Sequence, residues 1–186
     1  MMREYEKKRL LSEEQYRCVC AFFAKNDMGS LQINYYFDTD DLAMNQKGIT
    51  CRVRYKDGVY QATMKQHMVE HTDLSVEIDR SKKKHFDPLV FSPLGLRLHG
   101  VLVTERSILY QDQFCEMVLD RNMYLGTVDY ELEIEYKEGY GVRADILLEN
   151  VQDVLRMYHC YPIEGSSVPH DSKSKRFFAR KTMLEE

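Results

Sequence analysis

The chain has 186 residues, enough for one domain with a core of its own, and we expect a single domain over 1–186. Hydrophobic residues make up 44% and charged residues 30%, and 13 tyrosines dominate the aromatic share, which excludes a disordered chain. The formal net charge of −4 excludes a whole-molecule basic field for nucleic acid or an anionic membrane, so a polyanionic partner has to be met locally.

In chain order, "MMREYEKKRLL" reads as a strand that places Glu4, Glu6 and Lys8 on one face. "SEEQYRCVCAFFAKND" is predicted to be an amphipathic helix, with Ser12 as N-cap and Gln15 three residues on. "LQINYYFDTDDLAMNQKG" is an apolar strand running into a short helical turn, capped by Asp38 or Thr39 and ended by Gly48. "ITCRVRYKDGVYQATMKQ" alternates on both sides of Asp57-Gly58, a strong hairpin signal. "TDLSVEIDR" is a further strand, and a linker with Pro88, Pro93 and Gly95 covers one end of the sheet with short helical pieces. "VLVTERSILY", "QFCEMVLDRNMYLG" and "DYELEIEYKEG" read as three successive antiparallel strands, "RADILLENVQDVLRMYH" as a helix and "SKSKRFFARKTML" as a C-terminal helix.

Strand after strand carries full charges opposite its apolar face: Glu4, Glu6 and Lys8; Arg52 and Arg54; Lys65; Glu77; Arg106; Glu116 and Asp120; Glu131, Glu133 and Glu135. For one strand a solvated outer face explains this. Across the set, segregated Arg-x-Arg and Glu-x-Glu pairs favour closure: about eight strands in an antiparallel barrel of α+β class, helices packed outside and a charged tunnel within.

The start Glu4-x-Glu6-x-Lys8, the "YYFDTDDLAMNQKGITCRVRYKDG" segment, the "ELEIE" strand and the closing "SKSKRF" together resemble the CYTH superfamily, the triphosphate tunnel metalloenzymes, over nearly the whole chain. The resemblance implies a barrel that binds a triphosphate with Mg²⁺ or Mn²⁺ and hydrolyses it. By the same resemblance, Glu4, Glu6, Glu133 and Glu135 are the metal-side acids, with Glu77 and Asp120 as further candidates. Lys8, Arg52, Arg54, Lys65, Arg106, Lys173 and Arg176 hold the phosphates, and Glu4, Glu6, Lys8, Glu133 and Glu135 form the catalytic set. Thr104 stands where many relatives have a lysine, and we place Glu131 nearer a rim than Glu133 and Glu135.

The chemistry suits these residue types: Arg forks and Lys point charges hold anionic oxygens, and carboxylates are the ligands that Mg²⁺ or Mn²⁺ requires. We therefore expect metal-dependent hydrolysis of inorganic tripolyphosphate, with a small-molecule triphosphate or polyphosphate as partner and neither nucleic acid nor membrane. Whether the chain forms a homodimer is left open. The alternatives are a thiamine or nucleoside triphosphatase, a class IV type adenylate cyclase and a non-catalytic polyphosphate-binding module. Only three residues precede Glu4, which leaves no room for the His-Phe pair of the cyclases.

Other candidates have plainer readings. Cys18, Cys20, Cys51, Cys115 and Cys160 form no CxxC pair, which suits a reducing cytosol. The charged N-terminus is unlike a signal peptide and no apolar run approaches a membrane span, so we expect a cytoplasmic protein. His67 and His71 share an H-x-x-x-H spacing of low specificity. Lys82-Lys83-Lys84 reads as a solvated loop.

Overall fold

The computed structural model describes residues 2–23, 29–67, 74–160 and 171–186, without the side chains of 2–4, 67, 74, 79 and 80. Period-two alternation builds eight strands: β1 (Met2–Leu11), β2 (Ser30–Asp38), β3 (Ile49–Lys56), β4 (Val59–His67), β5 (Leu74–Lys83), β6 (Arg97–Gln111), β7 (Cys115–Tyr124) and β8 (Thr127–Tyr136). The helices are α1 (Glu13–Phe23), the short α2 (Ala43–Gln46), α3 (Gly141–Met157) and α4 (Lys173–Glu185).

Local chemistry sets the boundaries. Ser12 and Gln15 form a reciprocal capping box: the Ser12 N–H donates to Gln15 Oε1 at 2.8 Å, and the Gln15 N–H to Ser12 Oγ at 3.2 Å. Asp38 and Thr39 share the start of α2, Asp38 accepting from the N–H groups of Met44 and Asn45 and Thr39 from that of Ala43. Asp57 and Gly58, both at positive φ, turn the β3–β4 hairpin.

All the ladders are antiparallel, and the hydrogen-bonded order is cyclic, β1-β5-β4-β3-β2-β6-β7-β8 with β8 beside β1. The two ladders of β1 scarcely overlap. Tyr5–Leu11 pair with β8, whereas Met2–Tyr5 pair with β5 over only four residue pairs. Beyond Glu77, β5 finds partners on β4 but none on β1 among the described residues. A register shift between Ala62 and Thr63 bends the β4–β5 ladder there. The expectation of a fully closed barrel is corrected accordingly: the sheet is curled, with a short staggered seam and an open stretch beside it. The Lys82-Lys83-Lys84 reading is corrected as well, since Lys82 and Lys83 extend β5 opposite Gln61 and Tyr60.

Two of the three apolar clusters lie outside the curl. Leu119, Leu132 and Ile134 bury their side chains with Val19 of α1 and Ala144, Leu147, Val151 and Leu155 of α3. Phe37, Val53 and Ala62 pack against Phe91 and Leu96 from the segment before β6. The third cluster is on the inner face and corrects the expectation that every helix packs outside: Phe177 and Phe178 of α4 lie on Tyr36, ring centroids 5.1 and 6.0 Å away, with Leu102 beneath. Burying a phenylalanine of this kind contributes about 2 kcal/mol.

That last contact depends on Gly100, opposite Tyr36 on β6. A Cβ at position 100 would lie 2.7 Å from Phe177 Cζ. Gly100→Ala is therefore expected to destabilise the fold by about 1–3 kcal/mol, the usual cost of overpacking. Urea denaturation checks this, and an unchanged midpoint would show that α4 is not seated on β6.

Candidate active site

A cavity of about 500 Å³ fills the curl, and its lining is polar. Because β1, β3, β4, β6 and β8 alternate, the side chains that do not face the helices face this lumen. Glu6 and Lys8 enter from β1, Arg52 and Arg54 from β3, Lys65 from β4, Glu77 from β5, Arg106 from β6, Glu133 and Glu135 from β8, and Lys173 from α4. Ten of the anticipated side chains thus meet in one volume.

Glu133, 3% exposed, lies at the centre. Its Oε1 accepts from Lys8 and Lys173, both at 2.8 Å, and its Oε2 from Arg106. Burial opposes ionisation, but Lys173, Lys8 and Arg106 outweigh it and hold the carboxyl well below the usual range. Glu6 pairs with Lys65 at 2.9 Å and with Lys8 at 3.2 Å. Here too burial pushes the pKa up, and Lys8, then Lys65, bring it down to about 2. Lys8 in turn is held well above its ordinary value by Glu133 and Glu6, against the effect of burial.

Arg54 stands apart. Its Nε donates to Asn34 Oδ1 at 3.0 Å, and it has no carboxylate partner among the described residues. Burial and the neighbouring charges of Arg52 and Arg106 pull its pKa down to about 10, so it stays cationic at neutral pH in unfavourable company. Among the described residues, Arg52 pairs with Glu77, at 3.6 Å, and with the hydroxyl of Thr63.

Other anticipated residues sit behind this set. Asp120, fully buried, is gripped by Arg106 Nε and Nη2 at 2.8 and 2.6 Å and by Lys173 at 2.9 Å. Arg176 does not reach the lumen lining; it binds Asp129 and Glu131, with Nη2 2.9 Å from Glu131. Glu4 lies in β1 opposite Ser75, and its side chain lies outside those described. So do the side chain of His67 and the whole of His71.

Two readings change. Glu131 is not at a rim: it is fully buried, paired with Lys173 and Arg176, with Oε1 left without a hydrogen-bond partner. Position 104 needs no lysine for local balance, because the buried Thr104 hydroxyl donates to Asn122 Oδ1 at 2.8 Å. Sequence reasoning also passed over Ser172 and Ser174, which line the cavity beside Lys173; their only signal was that neighbourhood.

One carboxylate oxygen each of Glu6, Glu133 and Glu135 lies within 4.8 Å of the other two. These acids share a wall because the β1–β8 register sets Glu6 opposite Glu135 and Lys8 opposite Glu133. Glu116 continues that row, opposite Glu135 on β7.

Because the folded pKa of Glu6 is depressed, its contribution to stability is fully present above the unfolded value of about 4.5 and is lost as pH falls toward 2. Glu6→Gln is expected to be less stable than the parent protein at pH 7 by up to about 3 kcal/mol. The gap should close between pH 4.5 and 2. Denaturant titrations across that range test it, and a gap constant with pH would show that Glu6 is not held ionised by Lys8 and Lys65.

The CYTH domain family model matches residues 2–159. The chain is similar to "Putative triphosphatase YjbK" of Bacillus subtilis (strain 168), 28% identical over an alignment of 146 residues that covers 71% of this chain and 76% of that protein. It is also similar to the crystal structure of "a putative adenylate cyclase" from Bacillus halodurans, with TM-score 0.69 and 25% identity, covering 96% of this chain and 100% of that one. HpAC1 from Hippeastrum, for which "a dominant" triphosphatase activity is described, shares the fold at TM-score 0.65 and 18% identity, with 96% of each chain covered. With the family model spanning the sheet that carries most of the lumen charges, the chain belongs to the CYTH domain family.

Proposed function

We propose that this protein is a metal-dependent triphosphatase that hydrolyses a linear triphosphate, inorganic tripolyphosphate foremost, held in the lumen. Arg54 carries the reading: a cation kept beside Arg52 and Arg106, with no carboxylate paired to it among the described residues, awaits an anion. A chain of phosphoryl oxygens is the ligand that relieves it. Arg52 and Arg54 bind and orient that chain, with Lys8, Lys65, Arg106 and Lys173 able to turn toward it.

The acidic wall fits a divalent cation, since Glu6, Glu133 and Glu135 converge and hard carboxylate oxygens suit Mg²⁺ or Mn²⁺. Glu4, two residues before Glu6 on the same strand, is the further ligand. Glu77 and Asp120 serve instead to position Arg52, Arg106 and Lys173, which they already hold. When bound, the metal supplies charge neutralisation at the phosphoryl oxygens. The side chains do the rest: the cations meet charge that develops on the transferred group, and a carboxylate of the acidic wall orients the attacking water in line. No covalent intermediate is required.

Inorganic tripolyphosphate is favoured over a nucleoside or thiamine ester by the lining itself. Tyr36 and Ile78 are its apolar members among the described residues, and Tyr36 is fully buried against Phe177. Neither is a ring free to carry a base or a thiamine.

Phosphate release from tripolyphosphate, ATP and thiamine triphosphate, with Mg²⁺, Mn²⁺ or EDTA, tests the proposal. Turnover of tripolyphosphate that requires metal is expected, and release from none of the three in any buffer would refute it. Cyclic nucleotide formed from ATP would point to the cyclase reading instead. Glu133→Gln should lower turnover by about a hundredfold or more. Arg54→Met should bind tripolyphosphate at least about tenfold more weakly while melting no lower than the parent, because it removes a buried charge that no carboxylate among the described residues pairs with; a variant that melts lower yet binds normally would make Arg54 a structural residue.

A further inference from the structure

Cys18 and Cys160 stand 142 residues apart in the chain, yet their Sγ atoms lie 2.7 Å from one another, both as free thiols. Each is placed by its own element. Cys18 is on α1 beside Val19, which is fully buried in the cluster that α1 shares with α3. Cys160 follows α3, whose end is a Schellman motif: His159 takes a left-handed φ of 58°, its N–H donates to the Arg156 carbonyl at 3.0 Å, and the Cys160 N–H donates back to the Leu155 carbonyl at 2.9 Å. That motif reverses the chain and brings Cys160, 4% exposed, into the same cluster as Leu155 and Val19.

The two thiols gain little from each other as they stand, since S–H is a weak donor and sulfur a weak acceptor. The hydrogen bond to Cys18, and then burial, push the Cys160 thiol up to about 11. Cys160 therefore keeps its proton at neutral pH, and the partly exposed Cys18 is the thiol that meets a solute. The other cysteines are placed differently. Cys20 hydrogen-bonds with Tyr16, and Cys51 and Cys115 are buried on β3 and β7.

We propose that Cys18 and Cys160 are a site of reversible oxidation by hydroperoxides, which closes a disulfide between α1 and the end of α3. The Cys18 sulfur attacks one oxygen of hydrogen peroxide; the O–O bond breaks, water leaves with the thiol proton, and Cys18 becomes a sulfenic acid. The Cys160 sulfur then attacks the Cys18 sulfur. The S–S bond forms, the S–O bond breaks, and the hydroxyl departs as a second water with the Cys160 proton. Two electrons pass from the sulfurs to the peroxide, and a dithiol reverses the step by exchange. The sulfurs need only close to about 2.05 Å. The bond ties a loop that spans β2–β8, which removes conformational freedom from the unfolded chain. Neither cysteine lines the lumen, so oxidation fastens the apolar layer behind β7 and β8 and leaves the charged cavity untouched.

Thiol titration under denaturing conditions and peptide mapping by mass spectrometry, before and after stoichiometric hydrogen peroxide, test this on the full chain. The protein is expected to lose two of its five thiols and to yield one cross-linked peptide that joins Cys18 to Cys160. Dithiothreitol should restore all five. The oxidised protein should melt about 5–15 °C above the reduced one. Cys20→Ser should cross-link as the parent does, whereas Cys18→Ser should form no bond and show no rise in melting temperature. Five thiols surviving peroxide, or a bond to another cysteine or a second chain, would overturn the site. A cross-linked protein that melts no higher would overturn the fastening of α1 to α3.

Discussion

The carboxylate of Glu133 receives Lys8 from β1 and Lys173 from α4, each at 2.8 Å, together with Arg106 from β6, so one side chain on β8 gathers three other elements around the lumen. A carboxylate taken out of water is tolerable only if cations surround it, and the same holds in reverse for each cation. Removing a single partner from such a set costs about 3–5 kcal/mol, although the intact set does little more than break even against apolar residues of similar shape. The charges thus constrain where β1, β6, β8 and α4 sit relative to one another, and the fold draws its stability from elsewhere.

That source is the outer face. Along β8, Glu131 and Glu133 are buried toward the lumen while Leu132 and Ile134 are buried toward α1 and α3, so the strand is covered on both sides by opposite chemistries. This inversion of the usual small barrel leaves the interior free to hold a polar ligand. The two walls also differ: the β8 side binds its cations with carboxylates, whereas Arg54 on β3 has an amide oxygen for company. On the proposed function, a polyanion therefore meets its least satisfied partner among the described residues on the β3 wall.

Much of this was legible in the chain. Alternation places a residue on one of two faces without knowledge of its neighbours, which is why Glu6, Arg52, Arg54, Lys65, Arg106 and Glu133 could be assigned to a shared interior before any strand order was known. Turn and cap chemistry is equally local, and Ser12, Asp38 and Asp57-Gly58 act where their sequence context indicates. What the sequence concealed depends on register between distant strands. The stagger of β1 between β5 and β8 decides how far the sheet closes, and no local signal encodes it. Depth is hidden for the same reason: in "ELEIE" all three acids face inward, but only the cations across from them bury Glu131 and Glu133 and leave Glu135 at the more open end. Lys82 and Lys83 read as loop because three lysines in a row carry no alternation, whereas an open edge of the sheet tolerates them as strand.

Helix α4 connects the two halves of this account. Lys173 and Arg176 lie three residues apart and reach the acids of β7 and β8, while Phe177 and Phe178 reach Tyr36 of β2. Tyr36 sits directly across from Arg52 in the β2–β3 ladder and across from Gly100 in the β2–β6 ladder. Its ring is held between the helix and the sheet, so the separation of α4 from the β3 wall is fixed by close-packed aromatic contacts and not by the ion pairs, whose long side chains could accommodate several arrangements. A residue as small as Gly100 therefore bears on how far Lys173 stands from Arg52, and hence on the width of the lumen between them. Apolar packing at one end of the interior sets the distances across its charged part.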